Sequence, residues 1–163
     1  ANVQAGWARV LQGDEAGLPL MHEGIAGNRS SMSSIEVTMQ LFLLDAYAHL
    51  GRHGELLALV NPVLATARRR GENYMMADLL RLKAEALLAS GLEEEVAALL
   101  EEAEQLAEWL QARALLLRLA MTRARWQGGT ALRQLVETRL AAIESGHDDL
   151  DQQAARDLLR AMR

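Results

Sequence analysis

One short pattern, an alanine followed five residues later by a glycine, occurs four times in this chain and constrains its fold most. The four copies end at Gly13, Gly51, Gly91 and Gly129, so the glycines are separated by 38 to 40 residues. A fixed period of this length is typical of stacked helix-turn-helix units. Each glycine is expected to end the first helix of a unit, since glycine enters the left-handed conformation without a Cβ clash.

The composition favours a helical chain with a sizeable core. Half of the 163 residues are hydrophobic, only 4% are aromatic and two are proline. The length suits about one domain. Because the chain has no cysteine, disulfides and thiolate metal sites are excluded, and a reducing cytoplasm is the location we expect. No apolar run approaches the roughly 20 residues that a membrane span requires.

The repeat therefore predicts an all-α fold, a right-handed α-solenoid of about four helical hairpins followed by a C-terminal capping helix. Residues 1–163 are expected to form a single domain. The predicted units are about 1–28, 33–70, 73–108 and 109–145, with the cap at about 148–162. The first helices are expected at about 2–12, 34–50, 73–90 and 109–127, and the second helices at about 15–27, 53–70, 93–107 and 130–145.

The two prolines test these helix predictions. Pro19 is compatible with a helix only if it lies in the first turn. Pro62 falls inside a predicted helix and is expected to kink it or to divide it into two shorter pieces.

The two ends of the predicted array differ. The last helix has a polar outer face, as expected of a terminal cap. The first helix is expected to present apolar side chains, among them Val3 and Trp7, with nothing before them, and the chain does not begin with methionine. We therefore expect a C-terminal fragment of a larger protein in which further repeats precede Ala1.

Three segments of the repeats resemble a known family: residues 6–13, 44–51 and 71–88. The last is similar to a recurrent Glu-Leu-x-Arg-Leu-Lys-Gly-Glu-Leu-Leu stretch, with Asp78 for Glu and Ala84 for Gly. The offset of alanine and glycine is similar to that of the tetratricopeptide repeat (TPR), in units that are longer by about four to six residues. The longer unit resembles the TPR-like helical region of large bacterial signalling ATPases of the AAA or STAND type, which are associated with transcriptional-activator or adenylate-cyclase domains.

This resemblance covers about residues 1–110. It implies a non-catalytic protein-interaction or effector-sensing module of a bacterial cytoplasmic signalling or transcriptional regulator. The partner would be a protein, a peptide or a neighbouring domain of the parent chain. The alternative is a structural module for homodimerisation or assembly that has no ligand. The fourth unit departs from the pattern because Arg123 replaces the acidic residue found at 45 and 85.

The residue patterns do not indicate catalysis. His49 and His53 have the spacing of zinc ligands on a helix, but Gly51 between them is expected to end that helix. No glycine-rich loop precedes a Lys-Ser or Lys-Thr pair, and no serine lies in a Gly-x-Ser-x-Gly elbow. We therefore expect no enzyme activity, no cofactor and no metal site.

The charge balance bears on the class of partner. The net charge is −5 and the isoelectric point about 5.4, whereas a protein that binds nucleic acid through the phosphate backbone needs a basic surface. Helical-repeat binding of RNA also requires a basic groove. We expect no direct binding of nucleic acid, and retention on a heparin or RNA column would contradict this expectation.

In stacked hairpins the first helices line a concave groove, and the repeat glycines locate it. Counting back six residues from each glycine reaches Trp7, Asp45, Glu85 and Arg123, and counting back three from the last reaches Trp126. Counting back ten or thirteen adds Arg81, Thr38 and Asp78. The candidate groove residues are therefore Trp7, Thr38, Asp45, Asp78, Arg81, Glu85, Arg123 and Trp126.

This set predicts a charged centre between two aromatic flanks, and aromatic and arginine side chains often anchor interfaces. A purely structural interpretation stays open. Asp45, Arg81 and Glu85 could pair with one another between neighbouring helices, and the tryptophans could be core residues. Trp109 is also expected in the core.

Overall fold

A computed structural model describes residues 2–28, 35–143 and 150–162. Within these ranges the chain is all-α, as predicted, with nine helices and no strand. They are α1 (Asn2–Leu11), α2 (Gly17–Gly27), α3 (Ile35–His49), α4 (His53–Arg70), α5 (Asn73–Ala89), α6 (Val96–Trp109), α7 (Arg113–Gln127), α8 (Thr130–Ala141) and α9 (Leu150–Ala161). The predicted boundaries at 33, 34, 145 and 148 lie outside the described residues.

Each helix packs against the next one along the chain, and each odd-numbered helix also contacts the next odd-numbered helix. The odd-numbered helices are the first helices of the predicted units, and they form a continuous row from α1 to α7. The last helix, α9, contacts both α7 and α8. It therefore extends this row, in the position that the first helix of a fifth unit would take.

Three of the repeat glycines end first helices in the predicted conformation. Gly13, Gly51 and Gly91 have φ of 83°, 69° and 70°. After α3, the N–H of Arg52 donates to the carbonyl of Tyr47, a hydrogen bond typical of helices that end in a left-handed residue. In the fourth unit, α7 ends one residue before Gly128, so Gly128 and not Gly129 follows the helix directly.

The two prolines lie in different parts of their helices. Pro19 lies in the first turn of α2. Backbone N–H groups there have no acceptor within the helix, so the missing N–H of proline costs no hydrogen bond. Pro62 lies inside α4, which runs from His53 to Arg70 as one helix. The predicted division into two shorter pieces does not occur.

Helix α5 lies at the centre of the packing and contacts α3, α4, α6 and α7. A helix covered on several sides must be apolar around most of its circumference, and α5 buries seven hydrophobic residues between Met76 and Ala86. It also buries two charged residues, Asp78 and Arg81. Asp78 also contacts Arg118 of the neighbouring helix α7, and these side chains form the core of a polar network.

Two predictions for the third and fourth units are wrong. Helix α6 continues to Trp109 and α7 begins at Arg113, so the fourth unit does not begin at 109. Trp109 is 72% exposed and is not a core residue. The turn between the helices is formed at Gln111, the only non-glycine residue with positive φ among those described, at 52°.

The turn at Gln111 matches the turn between α4 and α5, where Gly71 has φ of 67°. In both turns this residue donates to the carbonyl three residues before it, and the next N–H donates to the carbonyl five residues before it. Because a side chain at left-handed φ costs roughly 1–2 kcal/mol, we expect Gln111→Gly to raise the free energy of unfolding by about 1 kcal/mol. Urea denaturation measures this change.

The reverse substitution, Gly71→Gln, is the matched control. A Cβ built at Gly71 meets no atom within 4 Å, so its cost is conformational alone. We expect it to lower the free energy of unfolding by a similar amount. A loss of stability in Gln111→Gly would contradict the prediction.

Acidic and basic side chains pair between α6 and three other helices. Glutamates of α6 accept from arginines of α4, α7 and α8, in the pairs Arg68–Glu102, Arg123–Glu104 and Arg139–Glu108. Two of these pairs are largely exposed, so each contributes little to stability. The pairs Arg68–Glu102 and Arg139–Glu108 join even-numbered helices to one another.

Candidate functional site

The odd-numbered helices enclose a cavity of about 610 Å³ on one side of the row. Every one of the five contributes to its lining, which shows that the row is concave on this side. The lining residues are Trp7 and Leu11 of α1; Asp45, Ala48 and His49 of α3; Arg81, Leu82 and Glu85 of α5; Arg118, Met121 and Arg125 of α7; and Leu150, Asp151 and Ala154 of α9.

A second cavity of about 450 Å³ adjoins the first between α5 and α7 and shares Glu85 and Arg125 with it. Its other lining residues are Leu88, Glu93, Thr122 and Trp126. Together the two cavities are called the groove below. Five of the eight predicted residues line it: Trp7, Asp45, Arg81, Glu85 and Trp126.

At the α1 end of the groove, Trp7 is held in place by two contacts with α3. Its indole Nε1–H donates to Oδ2 of Asp45 at 2.8 Å. Its ring lies 5.1 Å from the ring of Phe42, centroid to centroid, at a tilted angle. Trp7 also packs against the main hydrophobic core. The core interpretation and the groove interpretation of this residue therefore both apply.

The centre of the groove is a buried ion-pair network on α5. The Nε–H of Arg81 donates to Oδ1 of Asp78 at 2.7 Å, and its Nη1 lies 3.0 Å from Oε2 of Glu85. Asp78 and Arg81 are each only 6% exposed. The guanidinium of Arg81 is therefore already occupied by Asp78 and Glu85. This agrees with the structural interpretation, in which these charged residues pair with one another.

Helix α7 extends this network to α9 through Arg118. Its Nη1 lies 3.2 Å from Oδ2 of Asp78, and its Nε–H donates to Asp151 at 2.7 Å. A second link joins α5 and α7, where the hydroxyl of Thr122 donates to Glu85 at 2.5 Å. The network thus connects three neighbouring helices of the row through charged hydrogen bonds, which are stronger than neutral ones.

Burial and charge act in opposite directions on this network. Burial alone would raise the pKa of Asp78, but the guanidinium groups of Arg81 and Arg118 outweigh it and hold that pKa below its ordinary value. Burial would likewise lower the pKa of Arg81, yet Asp78 and Glu85, with a smaller effect from Asp45, raise it. Asp78 and Arg81 are therefore both ionised at neutral pH.

At the α7 end of the groove, Trp126 also pairs with a carboxylate, but at a more exposed position than Trp7. Its indole Nε1–H donates to Oε2 of Glu93 at 3.2 Å. Arg125, beside it, is exposed and has no hydrogen bond or ion pair among the described residues. The groove thus has an indole–carboxylate pair near each end and an unpaired cation next to one of them.

Three predicted residues do not line the groove. Arg123 points to α6, where its Nε–H donates to Glu104 at 2.6 Å, so its predicted groove position is wrong. Thr38 lines a different cavity of about 530 Å³, next to exposed Ile35 and Tyr74. Asp78 lies beneath the groove, where it holds Arg81 and Arg118.

Several polar groove residues were missed by the sequence prediction, among them Arg118, Thr122, Arg125 and Asp151. The first three were missed because the count in the fourth unit began at Gly129. Counting from Gly128, where α7 has just ended, places Thr122 at six residues back, Arg118 at ten and Arg125 at three. Asp151 was missed because its helix was interpreted as a polar cap and not as a member of the row.

The described residues contain no cluster of three or more histidine, cysteine, aspartate or glutamate side chains that is arranged to hold a metal ion. No helix in the described part of the chain has the length and apolar character needed to cross a membrane. The groove offers fixed charges, indole rings and apolar patches. These groups suit the binding of another molecule.

The chain matches no family model, and neither a curated protein nor a solved structure shows significant similarity to it.

Proposed function

We propose that this chain is a non-catalytic binding module, a right-handed TPR-like α-solenoid whose groove takes up a protein or peptide partner. The observation that carries the proposal is the groove itself, to which all five odd-numbered helices contribute side chains. Its unpaired Arg125 and the carboxylates beside Trp7 and Trp126 are available to a partner. We also propose that the chain is cytoplasmic and forms part of a bacterial signalling or transcriptional regulator. The resemblance of the repeats supports this part of the proposal.

A neutral substitution that fills the groove tests this function. Ala48 lines the groove on α3 and is only partly buried, so Ala48→Gln adds volume without adding charge. We expect it to weaken the binding of peptides selected from a random library by about tenfold or more, which corresponds to about 1.4 kcal/mol. Fluorescence anisotropy with labelled peptides measures the affinity.

The matched control is Ala98→Gln, at an exposed position of α6 outside the groove. We expect this variant to bind as the wild type does. Equal binding by all three proteins would show that the peptides bind elsewhere and would overturn the groove assignment. Circular dichroism must show the same helicity in each protein.

A homodimerisation or assembly module is the second candidate, and the cavity beside Thr38 favours it. This cavity has a mostly apolar lining, and the side chains of Ile35 and Tyr74 at its rim are about half exposed. Light scattering over a dilution series distinguishes the candidates. A concentration-independent dimer that Tyr74→Lys converts to a monomer would support assembly, whereas a monomer throughout would exclude it.

A further inference from the structure

We propose that the partner of the groove is a basic, extended peptide segment whose lysine or arginine side chains bind beside Trp7 and Trp126. This inference rests on the proposed function and adds the chemistry of the partner. Two indole–carboxylate pairs, the balance of charge in the groove and the distance between its ends support a partner of this kind.

The two carboxylates that pair with the tryptophans have no directly bonded cation. Asp45 and Glu93 each accept from an indole N–H, which is a neutral donor. Within the described residues, neither carboxylate forms a salt bridge. Arg81 is near Asp45, but its guanidinium is bonded to Asp78 and Glu85. Each pair therefore retains one negative charge that a partner can meet.

An indole ring next to a free carboxylate is a favourable site for a cation. The ring face attracts ammonium and guanidinium groups through its quadrupole, and the carboxylate accepts charged hydrogen bonds from the same groups. A lysine or arginine of the partner can use both interactions at once. Trp7 is also fixed by Phe42, so little side-chain freedom is lost there on binding.

The groove as a whole carries more negative than positive charge. The lining and the network beneath it contain five carboxylates, on Asp45, Asp78, Glu85, Glu93 and Asp151, and three guanidinium groups, on Arg81, Arg118 and Arg125. Arg81 and Arg118 are bound by Asp78, Glu85 and Asp151. Only Arg125 opposes a basic partner, and it is exposed and free to turn away.

The separation of the two ends favours an extended segment. Trp7 lies on α1 and Trp126 on α7, three helix spacings apart in the row. Packed helices are spaced about 8–10 Å apart, so the ends are separated by roughly 25–30 Å. An extended chain covers about 3.3–3.6 Å per residue, so a segment of roughly eight residues reaches from one tryptophan to the other.

The test uses two libraries of fluorescein-labelled peptides, one with lysine or arginine at every second position and one with glutamate or aspartate there. We expect the full chain to bind members of the basic library and affinity to fall as salt increases, because salt screens the attraction. Substitutions that change one charge then give opposite effects. Asp45→Asn and Glu93→Gln should each weaken binding about threefold to tenfold, and Arg125→Gln should strengthen it by a similar factor.

In Asp45→Asn and Glu93→Gln the side-chain amide oxygen can still accept a hydrogen bond from the indole N–H, so these variants change charge more than structure. Glu101→Gln, on the exposed face of α6, is the matched control and should leave affinity unchanged. A second outcome is that only the acidic library binds, that the three charge substitutions have the opposite effects, and that Ala48→Gln abolishes this binding. This outcome would overturn the inference but keep the proposed function. Binding of neither library would overturn both.

Discussion

Replacing Asp78 by alanine is expected to lower the free energy of unfolding by about 3–5 kcal/mol. Asp78 contacts both Arg81 and Arg118, at 2.7 and 3.2 Å. Its removal leaves a buried guanidinium with Glu85 as its remaining ion-pair partner on α5. The penalty is large because Arg81 has already lost its hydration, and breaking a buried pair costs much more than the pair contributes.

Urea denaturation followed by circular dichroism measures this loss, with Asp157→Ala as the control. Asp157 forms the same type of i,i+3 pair with Arg160, but both side chains are about 70% exposed. Exposed pairs are solvated in either state, so we expect no measurable change in this control. Equal losses in the two variants would show that burial of the Asp78 pair has no special importance.

The Asp78 contribution should also depend on pH in a defined direction. Its pKa in the folded protein lies below the ordinary value of about 3.9, so the unfolded chain takes up the proton first as pH falls. The stabilisation is therefore fully present above about pH 4 and is lost as pH falls through the folded pKa. The stability difference between wild type and Asp78→Ala should be constant near neutral pH and shrink in acid. A difference that grows below pH 4 would contradict this sign.

A methyl group added at Gly6 should lower the free energy of unfolding by about 1–3 kcal/mol. Helices α1 and α2 cross with their backbones in contact at Gly6 and Gly17. A Cβ at Gly6 would lie 2.5 Å from the carbonyl oxygen of Gly17 and 2.6 Å from Cγ of Met21. The backbone cannot yield as a flexible side chain can, so the two helices must separate and lose packed area.

Gly27→Ala is the control for Gly6→Ala, because it lies at the end of α2 and a Cβ there meets no atom within 4 Å. We expect the control to be neutral or slightly stabilising, since alanine is the better helix former. Thermal unfolding separates the two outcomes. Trp7 follows Gly6 directly on α1, so tryptophan fluorescence should also change when the helices separate, and an unchanged spectrum with full stability would refute the close-contact argument.

Much of the helical layout could be predicted from the sequence because glycine has a direct conformational role. Gly13, Gly51 and Gly91 each need positive φ, and their spacing located three helix ends correctly. The turn at Gln111 could not be found in this way, because glutamine gives no signal for a left-handed residue. The same omission led to the wrong position for Trp109, which was assigned to the start of α7 and lies at the end of α6.

The groove was predicted in outline and missed in detail for a related reason. Adjacent glycines at 128 and 129 made the count ambiguous by one residue, and one residue turns a helix position by about 100°. That turn is the difference between Thr122, which donates to Glu85 in the groove, and Arg123, which pairs with Glu104 on α6. The buried state of Asp78 and Arg81 could not be predicted either, because it depends on how many helices surround α5.

Helix α7 belongs to both hydrophobic clusters of the protein, since Leu115 and Leu119 join the main core and Leu117 and Met121 join the smaller core with α8 and α9. The carboxyl end is therefore a separate packing unit that shares one helix with the rest. In a linear array each helix is stabilised only by its neighbours, so this unit can open while the remainder stays folded. Because α9 also forms a wall of the groove, a partner bound there would stabilise the closed position of the last helix.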